Sequence, residues 1–135
     1  MNKVILIGCT KAKDPESTKA EDIYKKSSLY KKSLRYAKTF NCPINILSAK
    51  YHVLDLNDPV EYYNKTLKTM KKPERLEWAS IVRNQLEEKY DINNTTFVML
   101  CGEIYYKDLN LPSIEEPLKG LPLGKRMQYL DSLVD

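Results

Sequence analysis

Glycine is scarce in this chain of 135 residues, with four glycines against ten tyrosines. That scarcity leaves no phosphate loop: Gly8-Cys9-Thr10-Lys11 has neither the glycine spacing nor the Lys-Ser/Thr ending of a P-loop. There is a single histidine, His52, and three cysteines, Cys9, Cys42 and Cys101, with no CxxC or HxxxH spacing, so neither a metal nor any other cofactor is implied. Ser48 is close to His52 only in sequence, which is no basis for a Ser-His-Asp set. An odd number of cysteines without secretory context reads as free thiols. The N-terminal apolar run around Leu6 is too short for a signal peptide or a membrane span. A cytoplasmic protein with no membrane partner is therefore expected. No repeat, low-complexity tract or linker divides the chain, so residues 1–135 are expected to form a single α/β domain.

What is present is a recurrent ending. Val4-Ile5-Leu6-Ile7 runs into Gly8-Cys9-Thr10-Lys11, Ile44-Asn45-Ile46-Leu47 into Ser48-Ala49-Lys50, and Phe97-Val98-Met99-Leu100 into Cys101-Gly102-Glu103. Short apolar runs rich in β-branched residues read as strands buried on both faces of a parallel sheet. Ligands of open α/β sheets bind outside the carboxyl ends of the strands, so three such endings predict a polar site on one sheet edge.

Between the runs the pattern turns helical. From about Ser27 to Phe40, Leu29, Ser33, Tyr36, Ala37 and Phe40 share a face, while Lys31, Lys32, Arg35 and Lys38 gather on the other. A second helix starts near Pro73 and runs to about Tyr90, and a third ends the chain with Met127, Leu130 and Leu133. Thr10 to Asp22 reads as a charged loop too irregular to pack, and Tyr51 to Met70 as a long irregular loop of the kind that is usually functional. A short helix over Ile104 to Leu109 is expected, and Ser113 to Leu118 is an open candidate for a fourth strand. The order predicts a three-layer α/β sandwich with a small, mostly parallel sheet of three to four strands.

Net charge is +4, and the excess is local. Residues 11 to 38 hold nine basic side chains against Asp14, Glu16, Glu21 and Asp22. Lys31, Lys32, Arg35 and Lys38 are candidate nucleic-acid contacts, or simply a solvated helix face. Gly8, Cys9, Thr10, Lys11 and Lys13 are candidates for anion binding through backbone N–H groups and ammonium charge, with Ser48, Lys50 and Gly102 beside them. Glu103, just past a strand end, is the candidate acid/base or nucleophile, or alternatively a carboxylate favoured by a helix start. Tyr63 and Tyr105 are the aromatic partners: tyrosine offers a stacking face and a hydroxyl, which suits a nucleobase.

The same blocks resemble a family of small bacterial and phage domains. Its pattern is a CSKSK-like start, an ILSAKHGLLD block, a PYD-x-TL block, an AG-x-x-Y strand end and a PL-x-GL-x-IG-x-R tail. They appear here as Gly8 to Lys13, Ile46 to Asp55, Tyr62 to Leu67, Cys101 to Tyr105 and Pro117 to Arg126, with Asn64 where the pattern has Asp. The SAKYHVLD, EYYNKTL and CGEIYY blocks are also similar to the YaaA peroxide-stress family, associated with DNA binding and protection from oxidative damage. Cys9, Lys11, Tyr24 and Ser27 resemble the Cys-Lys-Pro-Tyr-Ser motif of archaeosine synthases, which modify a deazaguanine base in tRNA. These resemblances imply a partner that is a nucleotide, a nucleobase or DNA. The expected function is nucleobase-, nucleotide- or nucleic-acid-directed, as an enzyme acting at a glycosidic bond or modified base. The alternatives are a non-catalytic DNA-binding stress-response module and a phage-type nucleotide-sequestering protein.

Overall fold

The three apolar runs lie side by side. In the computed structural model, which describes residues 2–132, they become β1 (Asn2–Gly8), β2 (Ile44–Ser48) and β4 (Thr95–Leu100). β1 is central and parallel to both neighbours: Leu6 is in register with Asn45 on one side and Met99 on the other. Val4 to Ile7 are at most 1% exposed, which is why the run shows no polar alternation. Burial of each such side chain contributes about 1.5–3 kcal/mol.

The remaining elements are α1 (Ala20–Ile23), α2 (Ser28–Lys38), β3 (His52–Asp55), α3 (Lys72–Lys89), β5 (Ile114–Glu115) and α4 (Leu123–Ser132). Single helical turns occur at Leu67–Thr69, Ile92–Asn94 and Glu103–Tyr105. Helices lie on both faces of the sheet. Side chains in register point the same way, so Val4, Leu6 and Phe97 share a face, and there Tyr90 at the end of α3 packs edge-on to Phe97 and donates a hydrogen bond to Asn45. On the opposite face Tyr36 of α2 and Tyr129 of α4 meet edge-on and share a cleft with Val98.

The sheet differs from the expected one in number and direction. It has five strands in the order β3-β2-β1-β4-β5, and it is mixed, because β3 runs antiparallel to β2. The irregular segment after Ser48 thus begins as a hairpin. Ser48 Oγ accepts hydrogen bonds from the backbone N–H groups of Lys50 and Tyr51, and His52 adopts a left-handed backbone (φ 66°) that turns the chain back. Ser113 to Leu118 does contribute a strand, parallel to β4 and limited to Ile114–Glu115.

Two further expectations shift. The loop after β1 does pack: Ala20, Ile23 and Tyr24 are fully buried, and its backbone bonds to Leu56, Asp58 and Val60. Asp14 anchors its turn, accepting hydrogen bonds from Glu16 N and Ser17 Oγ and pairing with Lys25; the backbone N–H of Glu16 is the chief cause holding its carboxyl down to about 2. The inward face of α2 is Tyr30, Ser33, Tyr36 and Ala37, with Ser27 as N-cap accepting from Tyr30 N. Phe40 falls beyond the helix end and is 38% exposed.

Candidate functional site

At the carboxyl ends of β1 and β4 lies a cavity of about 670 Å3. Gly8, Cys9, Thr10 and Lys11 form one wall, and Leu100, Cys101, Gly102, Ile104 and Tyr105 the facing one. Leu29, Tyr30 and Ser33 from the start of α2, the segment from Thr66 to Thr69 with Asn64, and Arg126 from α4 complete it. Its size falls within the usual range for a small-molecule site.

Close approach of the two walls depends on Gly8. A Cβ there would sit 2.8 Å from Cys101 Cβ and 3.2 Å from Tyr105 Cε2. Tyr105 is held from two sides: its hydroxyl donates to the Cys9 carbonyl oxygen at 2.8 Å, and its ring packs edge-on to Trp78, whose indole N–H donates to Ser48 O. The same hydroxyl lies 3.3 Å from Cys9 Sγ. Burial raises the Tyr105 phenol and the Cys101 thiol well above their ordinary values, with the Arg126 charge acting against the latter.

The charges around the cavity are of one sign. Among the described residues Lys11, Lys68 and Arg126 line it, and no Asp or Glu does. Arg126 is fixed through Nε, which donates to Leu121 O at 2.7 Å. Such an arrangement offers ammonium and guanidinium charge to an anion beside an apolar wall.

A second, buried cluster lies behind Cys9. The Tyr63 hydroxyl is 2.6 Å from that of Tyr24 and 2.8 Å from Ser48 Oγ. Lys13 lies with Nζ 4.4 Å above the Tyr63 ring centroid; the residue is 6% exposed, and the buried Nζ has no hydrogen-bond partner. Burial lowers the Lys13 pKa, and a negative charge on Cys9 would raise it.

Of the residues singled out in the sequence, Gly8, Cys9, Thr10, Lys11, Gly102 and Tyr105 meet at the cavity. Lys13, Ser48 and Tyr63 form the cluster behind it rather than its lining. Lys50 is exposed in the β2–β3 turn, over the Tyr51 ring. Glu103 is exposed at the start of its helical turn and is not among the lining residues. Lys32 and Arg35 both pair with Asp131 of α4, Lys38 pairs with Glu21, and Lys31 is exposed. Sequence reasoning did not assign Asn64, Thr66, Lys68 or Arg126 to the site. The Tyr62–Leu67 and Pro117–Arg126 blocks contain Asn64, Thr66 and Arg126, and nothing in the sequence pointed to Lys68.

Most tyrosines are core residues with satisfied hydroxyls: Tyr30 donates to Glu21 O and Tyr106 to Glu116, and only Tyr30 and Tyr105 reach the cavity. Among the described residues no group of three His, Cys, Asp or Glu side chains is placed to hold a metal ion. No helix among them is long and apolar enough to cross a membrane.

Fold and site together define an α/β domain with a cation-lined cavity at the carboxyl ends of parallel strands. Over residues 4–132 the chain matches DUF6884, a family of unknown function, and it belongs to that family. The match agrees with the resemblance to a small uncharacterised domain family and does not extend to the peroxide-stress or archaeosine families. No curated protein and no solved structure matches the chain significantly.

Proposed function

We propose that the protein binds a nucleotide, or a similar phosphate-bearing nucleobase compound, in the cavity between the ends of β1 and β4. The observation that carries this reading is the lining, which among the described residues has three cations, no carboxylate, and an apolar and aromatic wall made of Leu29, Tyr30, Leu100 and Ile104. Lys11, Lys68 and Arg126 would hold the phosphate, with Thr10, Thr66 and Thr69 hydroxyls available beside them, and the apolar wall would take the base. Tyr105 is tied to Cys9 O and shapes the cavity.

The competing DNA-binding reading has less support, because Lys32, Arg35 and Lys38 are already matched by Asp131 and Glu21. A catalytic role for Glu103 also has less support than binding, since that side chain lies outside the lining.

Calorimetric titration at low salt with a nucleoside monophosphate, its parent nucleoside and inorganic phosphate tests the proposal. The monophosphate should bind at least about tenfold more tightly than the nucleoside, a difference of roughly 1.4 kcal/mol, and Arg126→Gln should erase most of it. Equal affinity for nucleoside and nucleotide, or no binding of any phosphate compound, would refute the reading. Tight, steeply salt-dependent binding of duplex DNA that is lost on charge reversal at Lys31 would favour the DNA-binding alternative.

A further inference from the structure

The lining of the cavity divides by exposure. Lys11, Asn64, Lys68 and Thr69 are exposed and mark its open side. Ile7, Tyr30, Leu67 and Leu100 are at most 3% exposed and mark its closed side. Ile7 and Leu100 are in register on neighbouring strands and point to the same face as Val98, the face of α2 and α4. Set into this apolar side is Ser33 of α2, which is 1% exposed.

Among the described residues the Ser33 hydroxyl has no hydrogen-bond partner, and it stays open to the cavity that it lines. Tyr30, one turn earlier on the same helix face, has its hydroxyl committed to Glu21 O. An uncommitted hydroxyl in an apolar wall contributes nothing to the folded chain. Alanine would serve the helix better, having the highest helix propensity and no polar atom to bury. Ala37, one turn later on the same inward face and fully buried, fills just such a place. Serine at 33 instead gives the cavity wall a group that both donates and accepts.

We propose that Ser33 is the specificity-determining contact of the cavity, hydrogen-bonding the edge of a nucleobase. The proposal rests on the cavity being a phosphate-ligand site, and it fixes how the ligand lies there. The phosphate stays on the open side with Lys11 and Lys68, and the base enters against Ile7, Tyr30 and Leu100. A carbonyl, amino or ring-nitrogen group of the base then meets Ser33 Oγ. A phosphate ester whose buried end lacks such a group excludes water from the hydroxyl without replacing it, so the site disfavours that ester.

Calorimetric titration of wild type and Ser33→Ala tests this, with the monophosphates of adenosine, guanosine, cytidine and uridine and with phenyl phosphate. Phenyl phosphate carries the same charge on a ring that has no hydrogen-bonding group. Wild type should bind the tightest of the four nucleotides at least about tenfold more tightly than phenyl phosphate. Ser33→Ala should weaken that nucleotide about fivefold or more and leave phenyl phosphate within about twofold. Thermal unfolding of the ligand-free proteins gives the structural control: the Tm of Ser33→Ala should equal or exceed that of wild type.

An unchanged nucleotide affinity in Ser33→Ala, or an equal loss for nucleotide and phenyl phosphate, overturns the proposal and leaves the phosphate site standing. A lowered Tm in ligand-free Ser33→Ala shows that the hydroxyl serves the fold, and overturns it as well. If wild type binds neither the nucleotides nor phenyl phosphate, the phosphate site itself is refuted, and the role of Ser33 with it.

Discussion

Replacement of Gly8 by alanine is the sharpest test of the packing that forms the cavity. The new Cβ would lie 2.8 Å from Cys101 Cβ, and 3.2 and 3.3 Å from Cε2 and Cζ of Tyr105. Carbon atoms rest about 3.5–4.0 Å apart, so the nearest contact is short by roughly 1 Å. Neither neighbour yields easily. Cys101 Cβ is bonded to the backbone where β4 ends, and the Tyr105 ring is held by Cys9 O and Trp78. Overpacking of this kind costs about 1–3 kcal/mol, and displacing Tyr105 forfeits a hydrogen bond worth about 1 more. Against this stands a gain of about 0.4–1 kcal/mol from the less flexible unfolded chain.

The clash wins, and a net loss of about 2 kcal/mol is expected, lowering Tm by roughly 6–10 °C in a chain of this size. Urea unfolding followed by the fluorescence of Trp78, buried and in contact with Tyr105, gives the measurement. Cys101→Gly removes the atom that is struck. In the double variant the cost of Gly8→Ala should therefore fall by about 1 kcal/mol or more, a coupling well above the additivity expected for independent sites. A Gly8→Ala protein as stable as wild type, or strictly additive single changes, would refute the account.

Tyr63→Phe removes the hydroxyl between Tyr24 and Ser48 and leaves the fully buried Tyr24 hydroxyl only Ser48 as a partner, so urea unfolding should show a loss of about 0.5–1.5 kcal/mol. An unchanged midpoint would show that the hydroxyl chain contributes nothing. For Lys13 the folded-state pKa lies below the ordinary 10.5, so between the two values the unfolded chain binds the extra proton and stability rises with pH. The buried phenols Tyr24 and Tyr30, held above their ordinary 10.0, act in the opposite sense, but only as pH passes that value. The difference in unfolding free energy between wild type and Lys13→Met should thus grow in favour of wild type as pH climbs towards 10, and a difference independent of pH would refute the buried amine.

The strands that build the cavity were legible because burial on both faces leaves an uninterrupted apolar run, a purely local signal. β3 was not, for the same reason inverted: His52 to Asp55 is short and only Leu54 in it is buried, and its reversal uses a left-handed histidine and the Ser48 hydroxyl rather than a glycine. Lys13 was readable as a cation near a strand end, but not as a buried one, because the Tyr63 that covers it is far along the chain. Ten tyrosines suggested stacking surfaces, whereas the structure uses most of them as core aromatics whose hydroxyls find partners across elements.

The basic face of α2 carries the most instructive difference. Helical spacing alone gathers Lys32 and Arg35 on one side, and nothing local says what they face. Their partner is Asp131, on a helix nearly a hundred residues later, and the pairing fastens α4 against α2. Arg126 belongs to that same helix and reaches the cavity from it. A set of cations that resembles a nucleic-acid contact therefore acts at one remove. Together with buried Leu130 and the Tyr36–Tyr129 contact, Lys32 and Arg35 hold α4, which brings Arg126 to the lining, while the strand ends themselves bring only Lys11. The positive lining of the cavity is thus assembled by tertiary contact, Lys11 from the end of β1, Lys68 from mid-chain and Arg126 from α4, and no one of these segments shows it in isolation.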